Sequence, residues 1–100
     1  MLVVAGYLYV APQDIRRFKA EFQTLAIETR QREGNFSYDA AIEDPHSGKF
    51  ILIERWADQT ALNAHLHATD TVQFVNRWQG LIRGDIKKYD ASNERDLMAQ

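Results

Sequence analysis

Cysteine is absent from this 100-residue chain. The absence excludes disulfides, thiolate catalysis, Fe–S clusters and cysteine-based zinc sites. Charge of one sign is not in excess either, because 12 Lys and Arg stand against 14 Asp and Glu, which gives a net charge of −2. This balance argues against a nucleic-acid backbone or an anionic membrane surface as the main partner.

Long apolar runs are also missing. None approaches the roughly 18 residues of a transmembrane helix, and the N-terminal "MLVVAGYLYVAPQD" lacks the basic start of a signal peptide. We therefore predict a cytoplasmic protein. The sequence contains no glycine-rich dinucleotide loop, P-loop or cluster of metal ligands. His65 and His67 lie on different faces of a helix and make a poor metal pair, so we predict no cofactor and no metal.

Apolar spacing predicts the element order β-α-β-β-α-α-β. Residues 2–10 are rich in β-branched and aromatic side chains, as in a strand. Apolar residues then recur at steps of three and four up to Thr29, which predicts a helix before Gly34. Asp58 and Asp70 are expected to cap two further helices. The stripe of the last helix comprises Phe74, Val75, Trp78, Leu81 and Ile82, with Gly84 closing it, and a strand follows from Asp85 to Asp90.

Between the first helix and these, two strands flank the turn sequence "DPHSG" and predict a hairpin. If Glu43 faces Lys49, one face of the hairpin carries the opposing pairs Phe36 with Trp56, Tyr38 with Glu54, Ala40 with Leu52 and Ile42 with Phe50. The other face collects Ser37, Asp39, Ala41, Ile51, Ile53 and Arg55, and we expect Asp39 and Arg55 to pair.

The order indicates an α+β fold of the ferredoxin-like, split βαβ type, with a four-stranded antiparallel sheet and helices on one face. A sheet that is apolar on both sides must be covered on both sides. We therefore predict a homodimer through the face bearing Ile51, Ile53 and Arg55. Residues 1–90 are predicted to be a single domain, and residues 91–100 a polar tail that is loose or reaches a partner.

A strand that ends Glu-x-Trp is followed by Ala-Leu-x-x-His on the next helix, here Glu54, Trp56, Ala61, Leu62 and His65. With the flanking segments, this order resembles the antibiotic biosynthesis monooxygenase domain over about residues 2–89. The resemblance implies a dimeric α/β barrel with a pocket between sheet and helices in each subunit. Several members of that family are cofactor-free monooxygenases of quinols, whereas others degrade haem or isomerise small phosphorylated sugars.

Two departures from the family pattern narrow these alternatives. Many relatives carry a second histidine five residues after the first, where this chain has Asp70. Strand one has no asparagine, which the haem-degrading relatives use, so the resemblance to them is weaker. Because Asp70 replaces the second histidine, any role that this histidine has in the relatives cannot be assigned to this chain.

Glu54 is the residue that suggests a pocket, because a carboxylate in an apolar wall must be protonated, hydrogen-bonded or hydrated. Tyr38 and His65 are its expected partners, and His65 is the natural general base, since it titrates near neutrality. These three are the predicted catalytic residues. Predicted substrate-binding residues are Trp56, Phe36, Phe22, Phe74 and Trp78 as an aromatic lining, and Arg30 as a partner for a substrate oxyanion.

Structural roles remain open for every one of these residues. Glu54 could tie the sheet to a helix, His65 and the aromatic residues could be core, and Arg30 could complement the helix dipole. The leading hypothesis is a cofactor-independent monooxygenase that oxidises a small aromatic quinol or polyketide-like phenol with O₂. The alternatives are a non-catalytic dimer that binds a hydrophobic ligand or serves a stress response, and a haem-binding or haem-degrading protein.

Overall fold

Four strands and three helices follow one another in the predicted order. A computed structural model describes residues 1–100, with strands β1 (Leu2–Val10), β2 (Asn35–Asp44), β3 (Lys49–Trp56) and β4 (Ile82–Asp90), helices α1 (Ile15–Thr29), α2 (Gln59–His67) and α3 (Thr69–Trp78), and a 3₁₀ turn over Pro12–Asp14. The strands form one antiparallel sheet in the order β2-β3-β1-β4. The α+β ferredoxin-like prediction is confirmed.

The hydrophobic core lies between one face of this sheet and the helices. Alternate residues of β1 and β3 point into it, and they meet the apolar stripe of α1. Phe18 on α1 is at its centre, with its ring centroid 4.9 Å from that of Phe50 on β3 and 5.2 Å from that of Trp78 on α3. The helices are therefore held over the sheet by aromatic packing.

The predicted register of the hairpin is confirmed at its centre, and the observed register is shifted at both ends. Tyr38 lies opposite Glu54, as predicted, and the next two pairs of the inner face also hold. An irregularity between Asn35 and Ser37 places Asn35 opposite Trp56 and leaves Phe36 54% exposed. The predicted Phe36–Trp56 pair is wrong because a bulge inserts a residue and reverses which side chain points inward.

A second irregularity affects the turn end of the same hairpin. Asp44, and not Glu43, lies opposite Lys49 in the ladder. The Glu43 carboxylate nevertheless accepts a hydrogen bond from Lys49 Nζ at 2.9 Å. The side-chain pair that fixed the predicted register is therefore present although the backbone register has moved.

The ends of the last two helices differ in part from prediction. Asp58 caps α2 as expected, since its side chain accepts from Ala61 N at 2.8 Å. Helix α3 begins earlier than predicted, with Ala68 as its N-cap in place of Asp70. It ends at Trp78 because Gly80 adopts a φ of +79°. The stripe therefore does not continue through Ile82, which begins β4.

The second face of the sheet is left uncovered by the helices. Ile51, Ile53 and Tyr7 on this face are each more than 40% exposed. The predicted Asp39–Arg55 pair does not form, because Arg55 Nε donates to Ser37 Oγ at 2.9 Å and Arg55 Nη1 reaches Glu94 at 3.3 Å.

After β4 the chain forms neither a strand nor a helix. Ala91 N still donates to Met1 O at 2.9 Å, beyond which Leu97 and Met98 are almost fully exposed. In the whole structure, no helix combines the length and apolar character that crossing a membrane requires.

Candidate active site

Three predicted catalytic residues converge from three elements. Tyr38 on β2 and Glu54 on β3 are cross-strand neighbours on the inner face of the sheet. The cap at Asp58 starts α2 so that Leu62 and His65, three positions apart, turn toward that face. Tyr38, Glu54 and His65 are each at most 7% exposed, and they line one cleft of about 490 Å³.

The cleft that contains Tyr38, Glu54 and His65 has both polar and apolar lining residues. Apart from the three candidates, most of its lining residues are apolar, with Val4, Leu25, Leu52, Leu62 and Phe74 among them, and the further polar ones are Thr71, Lys87 and Lys88. A second cleft of similar volume adjoins it along α3 and shares Tyr38, Leu52 and Phe74. Its further walls include Leu8, Phe18, Phe22, Trp78 and Ile82. A larger, open groove of about 870 Å³ around Pro12 and Arg16 contains none of the candidate residues.

Glu54 is hydrogen-bonded, although not to the partners expected. Trp56 Nε1 donates to Glu54 Oε1 at 2.9 Å, whereas neither Tyr38 nor His65 bonds to the carboxyl group. Burial raises the pKa of Glu54 to about 7, and the Trp56 hydrogen bond opposes this only in part. Because the second oxygen, Oε2, accepts no hydrogen bond from the protein, this carboxyl can exchange a proton with a bound molecule near neutral pH.

His65 is held by donors on one ring nitrogen. Arg32 Nη1 lies 2.6 Å from His65 Nδ1, and Thr71 Oγ1 lies 3.3 Å from the same atom. Burial lowers the pKa of His65 to about 4, with a further contribution from the positive charge of Arg32. The imidazole is therefore neutral at pH 7.

Arg32 belongs to the site and was missed by the sequence analysis. Its guanidinium contacts Thr29 Oγ1 at 2.9 Å, Thr71 Oγ1 at 3.2 Å and the carboxylate of Asp70. Asp70 therefore binds Arg32 in place of its predicted role as N-cap. No periodic pattern could have indicated this, because Arg32 and His65 are 33 positions apart and come together only when α2 and α3 pack beside the end of α1.

Tyr38 lines both clefts. Its hydroxyl group forms no hydrogen bond within the protein. Its ring stacks on Phe22, with centroids 5.1 Å apart and an interplanar angle of 6°. Burial, and then the nearby charge of Glu54, raises the pKa of Tyr38 above its usual value. The phenol therefore stays protonated and can donate a hydrogen bond.

The structure separates the predicted substrate-binding residues into three groups. Phe22, Phe74 and Trp78 line the clefts, as predicted. Trp56 is fully buried behind His65, with ring centroids 4.9 Å apart, and contacts the cleft residues Glu54 and His65 without lining the cleft itself. Phe36 and Arg30 lie outside: Phe36 because of the bulge, and Arg30 because its guanidinium is bound to Tyr38 O at 2.8 Å and to Asp39 at 3.1 Å.

Comparison with family models matches residues 1–77 to the family described as antibiotic biosynthesis monooxygenase. The chain belongs to the antibiotic biosynthesis monooxygenase family. The matched range extends from β1 into α3 and so includes Tyr38, Glu54, His65 and Arg32. YcnE of Bacillus subtilis (strain 168), provisionally named a monooxygenase, is 29% identical over 82 residues, which cover 82% of this chain and 86% of YcnE.

Solved structures of the antibiotic biosynthesis monooxygenase family share the fold. A crystal structure from Deinococcus radiodurans, provisionally described as such a monooxygenase, superposes with a TM-score of 0.87 at 22% identity and covers 99% of this chain and 100% of its own. Another structure of an antibiotic biosynthesis monooxygenase has a TM-score of 0.81 at 26% identity, over 93% of this chain and 100% of its own. The ferredoxin-like architecture is thus common to them.

Proposed function

We propose that this protein is a cofactor-independent monooxygenase that oxidises a small aromatic quinol or a polyketide-like phenol with O₂. The observation that carries the proposal is Glu54, a buried carboxyl group with a pKa near 7 and one uncommitted oxygen in a largely apolar cleft. Membership in a family named for monooxygenases agrees with it.

In the proposed reaction Glu54 removes the phenolic proton of the substrate. The resulting phenolate transfers one electron to O₂, and the substrate radical and superoxide combine to form a carbon–oxygen bond. The peroxide takes the proton back from Glu54 and then loses water together with the hydrogen of the attacked carbon, so that one oxygen atom becomes a quinone carbonyl and the other leaves as H₂O. Proton removal is the step that needs a base, and a base with a pKa near the working pH is the most effective.

His65 was the base in the sequence-based hypothesis, and its surroundings favour another role. Its lowered pKa makes it a weak proton acceptor, and Nδ1 already faces Arg32. In our proposal the ring donates a hydrogen bond to the substrate oxygen as negative charge develops there, and the Tyr38 hydroxyl is a second donor. The apolar cleft beside Phe22 and Trp78 holds the rest of the substrate away from water.

The test is turnover of a reduced naphthoquinol under air, followed by oxygen uptake and absorbance. The wild-type protein should consume O₂ above the uncatalysed rate, and Glu54→Gln should reduce that rate by about 100-fold. Glu28→Gln, which alters an exposed residue of α1, is the matched control and should be active.

Two further measurements, haemin addition and quinone binding, distinguish the alternative functions. A Soret band after addition of haemin would indicate a haem protein. Saturable binding of the oxidised naphthoquinone without oxygen uptake would indicate a ligand-binding protein. Equal rates with and without the wild-type protein would contradict the monooxygenase proposal for this class of substrate.

We also propose that two copies form a homodimer through the uncovered sheet face. Ile51 and Tyr7 are directly opposite each other on β3 and β1, and Ile53 and Arg55 extend the same face. Exposed isoleucine and tyrosine side chains on adjacent strands make an apolar surface of the kind that sheets bury against one another. Burial of this face would leave the cleft, on the opposite side of the sheet, open to substrate.

A further inference from the structure

We propose that Arg32 is a positioning residue that holds His65 in the Nε2–H tautomer, so that the ring offers the cleft a hydrogen-bond donor. The catalytic meaning of this tautomer rests on the proposed function, but the tautomer itself does not. Arg32 follows the end of α1 at Thr29 and does not line the cleft, so its hydrogen bonds reach the cleft through His65.

The argument begins with the groups around His65 Nδ1. A guanidinium has five N–H donors and no acceptor, and it stays protonated in proteins. At 2.6 Å from Arg32 Nη1, Nδ1 must therefore be the acceptor and carry no proton. The Thr71 hydroxyl at 3.3 Å can donate to the same atom, and it accepts from Arg32 at 3.2 Å. A neutral imidazole with a bare Nδ1 carries its proton on Nε2.

Arg32 is itself held in place by other groups. Its guanidinium donates to Thr29 Oγ1 and to the Asp70 carboxylate, so hydroxyl and carboxylate acceptors surround it. The Asp70 carboxylate does not contact His65 Nδ1, which faces Arg32 and Thr71. Rotation of the His65 ring is also restricted, since it packs between Tyr38 and Trp56 at centroid distances of 5.2 and 4.9 Å.

The tautomer has a direct consequence for the division of roles in the cleft. Nε2 already carries a proton and cannot accept another, and protonation at Nδ1 would require Arg32 to leave. His65 is therefore a fixed donor, and Glu54 is the remaining group that can take a substrate proton. A donor that is fixed before the reaction needs no reorganisation when charge develops on the substrate oxygen.

Long-range ¹H–¹⁵N NMR of the imidazole rings tests the proposal on the folded protein without substrate. Protonated and bare ring nitrogens have distinct ¹⁵N shifts, and the variants His46→Gln and His67→Gln assign the other two histidines. The wild-type His65 should show a single Nε2–H tautomer. An Nδ1–H tautomer, or a mixture of both, would overturn the proposal whatever the activity of the protein.

Substitution of Arg32 tests the cause of the tautomer. Arg32→Gln should convert the single tautomer of His65 into a mixture, whereas Arg16→Gln, which removes the same charge from an exposed position on α1, should not. An unchanged tautomer in folded Arg32→Gln would refute the role of Arg32. If Arg32→Gln does not fold, Asp70→Ala provides the second variant, because it removes the acceptor that holds the guanidinium and should also give a mixture.

Kinetics separate this inference from the proposed function. If the wild-type protein oxidises a quinol, Arg32→Gln should lower kcat by about tenfold with a smaller effect on KM, because fewer rings present the donor. A locked tautomer in a protein without oxygenase activity would uphold the inference and contradict the proposed function. Normal turnover by Arg32→Gln would show that the tautomer has no catalytic importance.

Discussion

Trp56 Nε1 donates a hydrogen bond to Glu54 Oε1 at 2.9 Å, from two positions further along the same strand. Side chains at i and i+2 of a strand point to the same face, so the pair is arranged by the strand itself. The indole satisfies one oxygen of a buried carboxyl group and leaves the other free. The hydrogen bond from Trp56 stabilises the carboxyl group of Glu54 in its apolar surroundings, and the free oxygen can still bind a substrate proton.

Trp56→Phe should raise the pKa of Glu54 above about 7. The indole hydrogen bond favours the carboxylate, so its loss leaves burial unopposed. A ¹³C NMR titration of the Glu54 carboxyl carbon measures the change directly. Trp78→Phe is the matched control, because its indole donates to Glu21 at 3.1 Å and not to Glu54. An unaltered Glu54 titration in Trp56→Phe would show that the hydrogen bond does not control this pKa.

Glu54 should make the folded protein less stable as the pH rises. Its folded pKa of about 7 exceeds the ordinary value of 4.5, so the folded state binds the proton more tightly than the unfolded state. The stability that Glu54 contributes is present below about pH 4.5 and is lost as the pH rises through about 7. The loss is on the order of 3 kcal/mol, because each tenfold difference in proton affinity between the two states corresponds to about 1.4 kcal/mol.

Urea denaturation of wild type and Glu54→Gln between pH 4 and 8 checks this effect. The difference in the free energy of unfolding should shift in favour of Glu54→Gln with increasing pH. His65 has the opposite tendency, since a depressed pKa costs stability as the pH falls below about 6.5 toward 4. Both proteins carry His65, so its contribution cancels in the difference. A difference that is independent of pH would contradict the raised pKa.

Phe22→Ala should destabilise the protein by about 3–5 kcal/mol, whereas Phe36→Ala should change stability by less than about 0.5 kcal/mol. Phe22 is 7% exposed and stacks on Tyr38, whereas Phe36 is 54% exposed in the bulge of β2. Thermal and urea unfolding measure both variants. Comparable losses would mean that Phe36 packs inward, as the unbulged register predicted.

Ile53→Lys should convert the proposed homodimer into monomers without unfolding them. A buried, unpaired ammonium in the interface is costly, whereas in a monomer this position faces water. Analytical ultracentrifugation over a range of concentrations measures the association. Ile27→Lys on the outer side of α1, where the isoleucine is 57% exposed, is the matched control and should remain dimeric. A monomeric wild-type protein would remove the basis of the dimer proposal.

The fold could be predicted from the sequence because the patterns that indicate strands and helices lie within short segments of the chain. Alternation along β3 and steps of three and four along α1 each report which side chains face the core, whatever else the chain does. The central register, with Tyr38 opposite Glu54, also followed, since the hairpin turn lies only a few residues away. Errors appeared where a single residue changes the outcome. The extra residue of the bulge turns Phe36 outward, and the positive φ of Gly80 ends α3 before the predicted Gly84.

By itself, the sequence determined the order of elements, the inward positions of Tyr38, Glu54 and His65, and the apolar character of both sheet faces. Only the tertiary structure decided what those inward residues can do. The raised pKa of Glu54 depends on burial by several elements, and Arg32 reaches His65 across 33 positions through the packing of α1, α2 and α3. Proton affinity and tautomer are set by the surroundings in space, and no period in a chain encodes them.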